Sequence, residues 1–133
     1  MEMTEVALET GERLVTDVTE EAAQFVLGKG DGLLHLFAPH ATAGLGLMET
    51  GSGSETDLAA AIERLVPRAG DYRHRHGSSG HGGDHVLPLF VSPSLLLSVA
   101  GGELTLGRWQ RVVLVDPNRD NPLRRLQLSF LPG

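Results

Sequence analysis

The chain has 133 residues, no cysteine, and 17 acidic against 11 basic side chains, for a formal net charge of −6. That length suits one domain spanning 1–133 that buries its core without disulfides, while the charge speaks against nucleic acid, whose phosphates are gripped mainly by Lys and Arg. Without thiols, any metal site must be built from His, Asp and Glu, and without an apolar run of roughly 20 residues or a secretion signal at the N-terminus, a cytoplasmic protein with no membrane contact is expected.

In chain order, TEVALET and RLVTDV each alternate apolar and polar residues, which predicts an antiparallel pair around a turn at Gly11. DVTEEAAQFVLGKG predicts a short helix, with Asp17 or Thr19 as N-cap, Glu20 and Glu21 at the positive end of its dipole, and Gly28 or Gly30 as stop. GLLHLFAP and ATAGLGLME read as strands divided by Pro39 and His40. In the second run, period two places His40, Thr42, Gly44, Gly46 and Met48 on one face and Glu49 on the other. The glycines there predict close packing, a bulge or ligand access.

SETDLAAAIERLVP is the clearest helix: Leu58, Ala61, Ile62, Leu65 and Val66 form an apolar stripe, Ser54 and Asp57 resemble a capping pair, and Pro67 ends it. GDYRHRHGSSGHGGDH has no sustained period and reads as a loop. SLLLSVA, ELTLG, RWQRVVLVD and LRRLQLSFL then predict successive strands, with Gly101–Gly102 as a turn, in the manner of a meander. The expected class is α+β: a mainly antiparallel, β-sandwich-like core with two main helices.

Four of the six histidines, His74, His76, His81 and His85, fall in the glycine-rich loop. Neutral imidazole is the commonest ligand for Zn²⁺ and its relatives, and His-x-His on an extended segment or His-x-x-x-His on a helix aligns two rings. The pattern leaves two readings open, a metal cluster and a solvated loop without function. His35 alternates with Leu34 and Leu36 and reads as structural. His40 has two readings as well: a residue that a ligand approaches across small neighbours, or one hydrogen-bonded at a strand end. Glu49 suits a general base or a metal ligand if its surroundings are dry. GSGSETD offers backbone N–H groups but has neither the lysine of a P-loop nor a complete G-x-G-x-x-G. Arg124 shares the inward face of the last strand with Leu126, Leu128 and Phe130, so it needs a carboxylate or a bound anion unless it snorkels. Trp109 and Gln110 read as strand residues that pack in the core or against another subunit.

Together, His40 with TAGLGLME, Asp57, VP at 66–67, YRH at 72–74, His85, SPS at 92–94, GGELTLGRWQ at 101–110 and RR at 124–125 resemble the YjbQ-like family over roughly residues 4–132. Members of that family are described as secondary thiamine-phosphate synthase enzymes. The resemblance implies a homotrimer with a histidine-built pocket and a weak activity joining a pyrimidine pyrophosphate to a thiazole phosphate. His40, Glu49, His74 and His85 stand at the family's polar positions, accompanied by Asp57, Gln110 and Arg124 or Arg125. Thr50 replaces a usual asparagine. HGGDH at 81–85 replaces N-G-H-x-H, so that His81 stands for the asparagine and Gly83 for the inner histidine.

On this resemblance, His40, His74 and His85 would hold a divalent metal, Zn²⁺ in preference to Mg²⁺ for imidazole donors. His40 and Glu49 would serve the chemistry, and Arg124 would meet the phosphate of a small phosphorylated substrate. The alternatives are a non-catalytic trimeric protein that binds a metabolite or metal, and a metal-dependent hydrolase.

Overall fold

The computed structural model describes residues 1–133. Two antiparallel sheets face one another. The larger has the order β1–β8–β3–β5–β6, from Glu2–Glu9 (β1), Leu123–Pro132 (β8), Gly32–Phe37 (β3), Ser94–Ala100 (β5) and Glu103–Leu104 (β6). The smaller has the order β2–β7–β4, from Val15–Asp17 (β2), Arg111–Val115 (β7) and Gly44–Met48 (β4). Helix α1, Thr19–Val26, contributes Ala22 and Val26 to the main core. Leu34, Leu36, Leu126, Leu128 and Phe130 join it from the larger sheet, and Leu45, Val112 and Leu114 from the smaller. This is the expected α+β sandwich, and no helix in it is long and apolar enough to cross a membrane.

The unbroken apolar run in β7 reflects burial on both sides. Val112 and Leu114 face the main core, while Val113 and Val115 face a second cluster with Leu87, Leu58, Ile62 and Val66. That second cluster is where helix α2, Ser54–Leu65, lies on the outer side of the smaller sheet. The predicted apolar stripe is therefore narrower than its sequence: Leu58, Ile62 and Val66 pack, whereas Ala61 and Leu65 are exposed. The capping pair does not form either. Gly53 caps α2 in the left-handed region at φ 91°, and the Glu55 carboxylate turns back to accept the Gly51 N–H at 2.6 Å.

Three further expectations are corrected. The opening strands do not pair: β1 pairs with β8 and β2 with β7, one in each sheet, because the segment after Gly11 crosses the sandwich. The C-terminal strands are not a meander, since β7 joins the smaller sheet and β8 inserts between β1 and β3. Trp109 and Gln110 precede β7 in a turn; Trp109 is 64% exposed, and the Gln110 side chain accepts the Gly107 N–H at 2.8 Å.

The ATAGLGLME run forms a strand only from Gly44, leaving His40 before a turn. Gly44 is there because backbone must pass close to it: a Cβ would overlap the Val91 carbonyl, and Leu45 N donates to Ser92 O at 2.7 Å. Gly46 has open space around its Cα, so packing does not explain it.

Candidate metal centre

After Pro67 the chain folds back over the end of the smaller sheet, and one side chain fastens it. Arg68 donates to Ser79 O at 2.7 Å, to Pro117 O at 2.7 Å and to the buried Asp84 carboxylate at 3.2 Å. The predicted loop then contains a short helix, α3, His81–Asp84, followed by a 3-10 turn at Leu87–Leu89. Gly82 and Gly83 let α3 lie against the segment that carries Tyr72 and His74. A Cβ on Gly82 would come within 2.7 Å of His74 O, and one on Gly83 within 2.8 Å of the Tyr72 hydroxyl. Tyr72 is itself held by donating to Pro67 O at 2.7 Å.

That packing brings the imidazoles together. His81 and His85 are one helical turn apart, so their rings share a face, and their Nε2 atoms are 3.0 Å apart. His74 arrives from the facing segment, its ring centroid 4.3 Å from that of His85 and 5.1 Å from that of His81. One ligand nitrogen from each of His74, His81 and His85 falls in a group spanning no more than 4.8 Å. His76 adjoins them, with its centroid 4.0 Å from that of His74. A polar cleft of about 350 Å³, whose walls include Asp71, Arg75, Ser78 and Ser79, opens beside the rings.

Behind the rings lies a polar network. His81 Nδ1 is 3.0 Å from the Asp120 carboxylate and 2.9 Å from the Asn118 amide. The Asn118 amide orientation follows from its other contacts: its oxygen accepts the Asp120 N–H at 3.0 Å, and its NH₂ group donates to Asp84 at 3.1 Å. Nδ1 thus faces both a carboxylate that would accept from it and an NH₂ group that would donate to it; we assign the proton to Nδ1, the charged acceptor outweighing the amide dipole, which leaves the His81 Nε2 lone pair facing inward. Asp120 is held below the ordinary carboxylate range, first by the Ser78 N–H that it accepts and then by the Ser78 side chain. His74 and His85 are both held below the ordinary imidazole value, by desolvation first and then by neighbouring imidazoles that would repel a second proton. The rings are therefore biased toward the neutral form that ligates metal.

Of the residues expected to form a site, the structure brings together His74 and His85 and adds His81, but it places the others elsewhere. His40 is corrected as a ligand: its Nε2 accepts the Arg125 N–H at 2.8 Å and lies outside the imidazole group. Arg125 is beyond the last β3–β8 partners, Phe37 and Gln127, so the ring continues the ladder where the strand has stopped. The strand-end reading of His40 is the one this geometry supports. Burial and the adjacent Arg124 charge hold this ring below the ordinary value as well.

Arg124 is corrected as a phosphate contact. It is buried, and it donates to Asp116 at 2.6 and 3.1 Å and to the Thr42 hydroxyl at 3.0 Å, so its charge is met by an internal carboxylate. Glu49 is exposed just past β4 and outside the imidazole group, as is Asp57 on α2, so neither has the dry setting a general base needs. Arg125 is exposed and reaches Glu5 at 3.7 Å. Asp120, Asn118, Asp84 and Arg68 were not singled out from the sequence. A signal existed in the period-two spacing of Asp116, Asn118 and Asp120 around Pro117, where Asn118 N donates to the Asp116 side chain and Asp120 N to that of Asn118 in successive turns.

Comparison with known proteins gives the chain, though not its site, a family. The family model described as UPF0047 protein YjbQ-like matches residues 4–132. A UPF0047 protein of Mycobacterium tuberculosis is 50% identical over 126 residues, covering 95% of each chain. A crystal structure of a hypothetical protein from Aeropyrum pernix superposes with a TM-score of 0.88 at 28% identity and full coverage of both chains. A YbjQ-like protein of unknown function from Sulfolobus solfataricus gives 0.90 at 20% identity over 99% of this chain and 97% of its own, a likeness of fold alone. These findings overturn the expected thiamine-phosphate synthase activity. The relatives carry a family name without a reaction, and the solved neighbours are described as hypothetical or of unknown function. With Arg124 committed to Asp116, the phosphate contact that the activity relied on is also gone.

Proposed function

The chain belongs to the YjbQ-like family, and we propose that it is a metal-binding protein of that family in which His74, His81 and His85 hold one divalent ion. The observation that carries this reading is the convergence of three ligand nitrogens within 4.8 Å. The donor chemistry fits: three neutral imidazoles suit Zn²⁺ and its late first-row neighbours, whereas Mg²⁺ prefers oxygen. Bound there, such an ion would supply Lewis acidity to a small polar ligand entering the cleft.

The chain's own part is to fix the donors. α3 sets the spacing of His81 and His85, Tyr72 seats the segment bearing His74 against the two glycines, and Asp120 selects the His81 tautomer. The polar walls admit water and polar groups rather than an apolar molecule.

The test is Zn²⁺ binding by competition with a chromophoric chelator, with metal content measured by mass spectrometry. Wild-type protein is expected to bind one equivalent, His81→Ala and His85→Ala to lose at least about 100-fold in affinity, and His40→Ala to match wild type. Wild-type stoichiometry and affinity in a His81→Ala/His85→Ala double variant would remove the reading.

A further inference from the structure

Four imidazoles, not three, are grouped in this corner of the molecule, and their ring positions say more than their present nitrogen directions. A Zn²⁺-type ion sits about 2.0–2.1 Å from each imidazole nitrogen, which puts ring centroids roughly 3.2 Å from the ion and, at tetrahedral angles, roughly 5 Å from each other. The separations among His74, His76, His81 and His85 run from 4.0 to 6.5 Å and scatter about that value. His76 departs most from His85, at 6.5 Å, and its nitrogens are not among the converging group. The 4.0 Å to His74 and 6.5 Å to His85 flatten the group relative to a tetrahedron, so the His76 ring must swing toward His85 as well as turn a nitrogen inward.

The backbone next to His76 is built onto the same site. Gly77 has φ 86°, and a Cβ there would lie 2.7 Å from the His81 ring and 3.0 Å from the Asp120 carboxylate. Ser78 N donates to that carboxylate at 3.2 Å. Residues 76–78 are thus fastened over His81 by a glycine contact and a hydrogen bond, and the fastening keeps the His76 ring beside those of His74 and His81, at 4.0 and 5.0 Å between centroids. His76 itself is exposed, so no packing opposes that swing.

We propose that His76 is the fourth ligand of the ion held by His74, His81 and His85, closing the coordination shell when no other ligand is present. The inference rests on the metal-centre reading and deepens it. Its consequence is selectivity: a small anion or polar ligand must displace His76 to reach the ion, so weak monodentate donors are excluded and strong or chelating ones enter. A site with three ligands and an open position would make no such distinction.

Co²⁺-substituted protein separates the two, because its visible absorption reports coordination number and ligand exchange. Wild type is expected to show an intense tetrahedral spectrum that millimolar azide leaves unchanged. His76→Ala should bind Co²⁺ at least about tenfold more weakly, with an altered spectrum that azide shifts further. Identical spectra, affinities and azide responses for the two proteins would overturn the role of His76 while leaving the three-histidine centre intact. Failure of wild type to take up Co²⁺ at all would overturn both.

Discussion

Replacing Arg124 with methionine asks whether its charge serves the fold or a ligand. In the structure the guanidinium makes two hydrogen bonds to Asp116 and one to Thr42, and the side chains of the pair are only 5% and 2% exposed. Methionine keeps much of the aliphatic volume but abandons Asp116 without its cation in a dry place. Removing one partner of a buried ion pair costs about 3–5 kcal/mol, most of it the penalty on the charge left behind. For a chain of this size the midpoint of thermal unfolding should fall by on the order of 10 °C or more. The assay is urea denaturation of metal-free protein followed by circular dichroism, with Asp116→Asn and Asp116→Asn/Arg124→Met completing a double-mutant cycle. The double variant should be less damaged than the sum of the singles, because it strands no charge. Arg124→Met within about 1 kcal/mol of wild type, or a cycle with additive losses, would refute the internal role assigned to this pair.

Asp120→Asn removes the carboxylate behind His81 without touching a proposed ligand and should weaken Zn²⁺ by about 10–100-fold; unchanged affinity in the competition assay would show that His81 needs no support from it. His40 supplies a pH dependence. Its folded pKa lies below the ordinary 6.5, so on acidification the unfolded chain takes up the proton first. Its contribution is therefore complete above that ordinary value and is lost as pH falls from there toward the folded value. The stability gap between wild type and His40→Ala, of about 1 kcal/mol for one hydrogen bond, should narrow as the pH is lowered through and below the ordinary imidazole value; a gap independent of pH would contradict the Nε2–Arg125 contact.

Local periodicity made the helices and most strands legible. α1 and α2 begin and end close to the predicted stops, and the inward stripe of Leu126, Leu128 and Phe130 identified both the core face of β8 and Arg124's need for a partner. Pairing was not legible, because alternation says which side of a strand is apolar but not which neighbour it finds: the same pattern suits β1 beside β2 or beside β8. The site divides similarly. Four histidines among glycines advertised imidazole chemistry, while which ring joins those of His74 and His85 depended on whether residues 81–85 are extended or helical, which a glycine-rich segment does not declare.

That conformational choice decides which imidazoles share a face. In an extended segment, positions 83 and 85 point to one side and a His-x-His pair can share an ion; in a helix the residues that share a face are 81 and 85. Here 81–84 are helical, and position 83 faces Tyr72, whose hydroxyl would lie 2.8 Å from any Cβ placed there. A histidine at 83 would therefore have to displace Tyr72 and still point away from His85. His81 stands at the helical position that shares a face with His85, Gly83 occupies the place pressed against Tyr72, and Asp84, on the buried side of the same turn, ties the helix to Arg68 and Asn118.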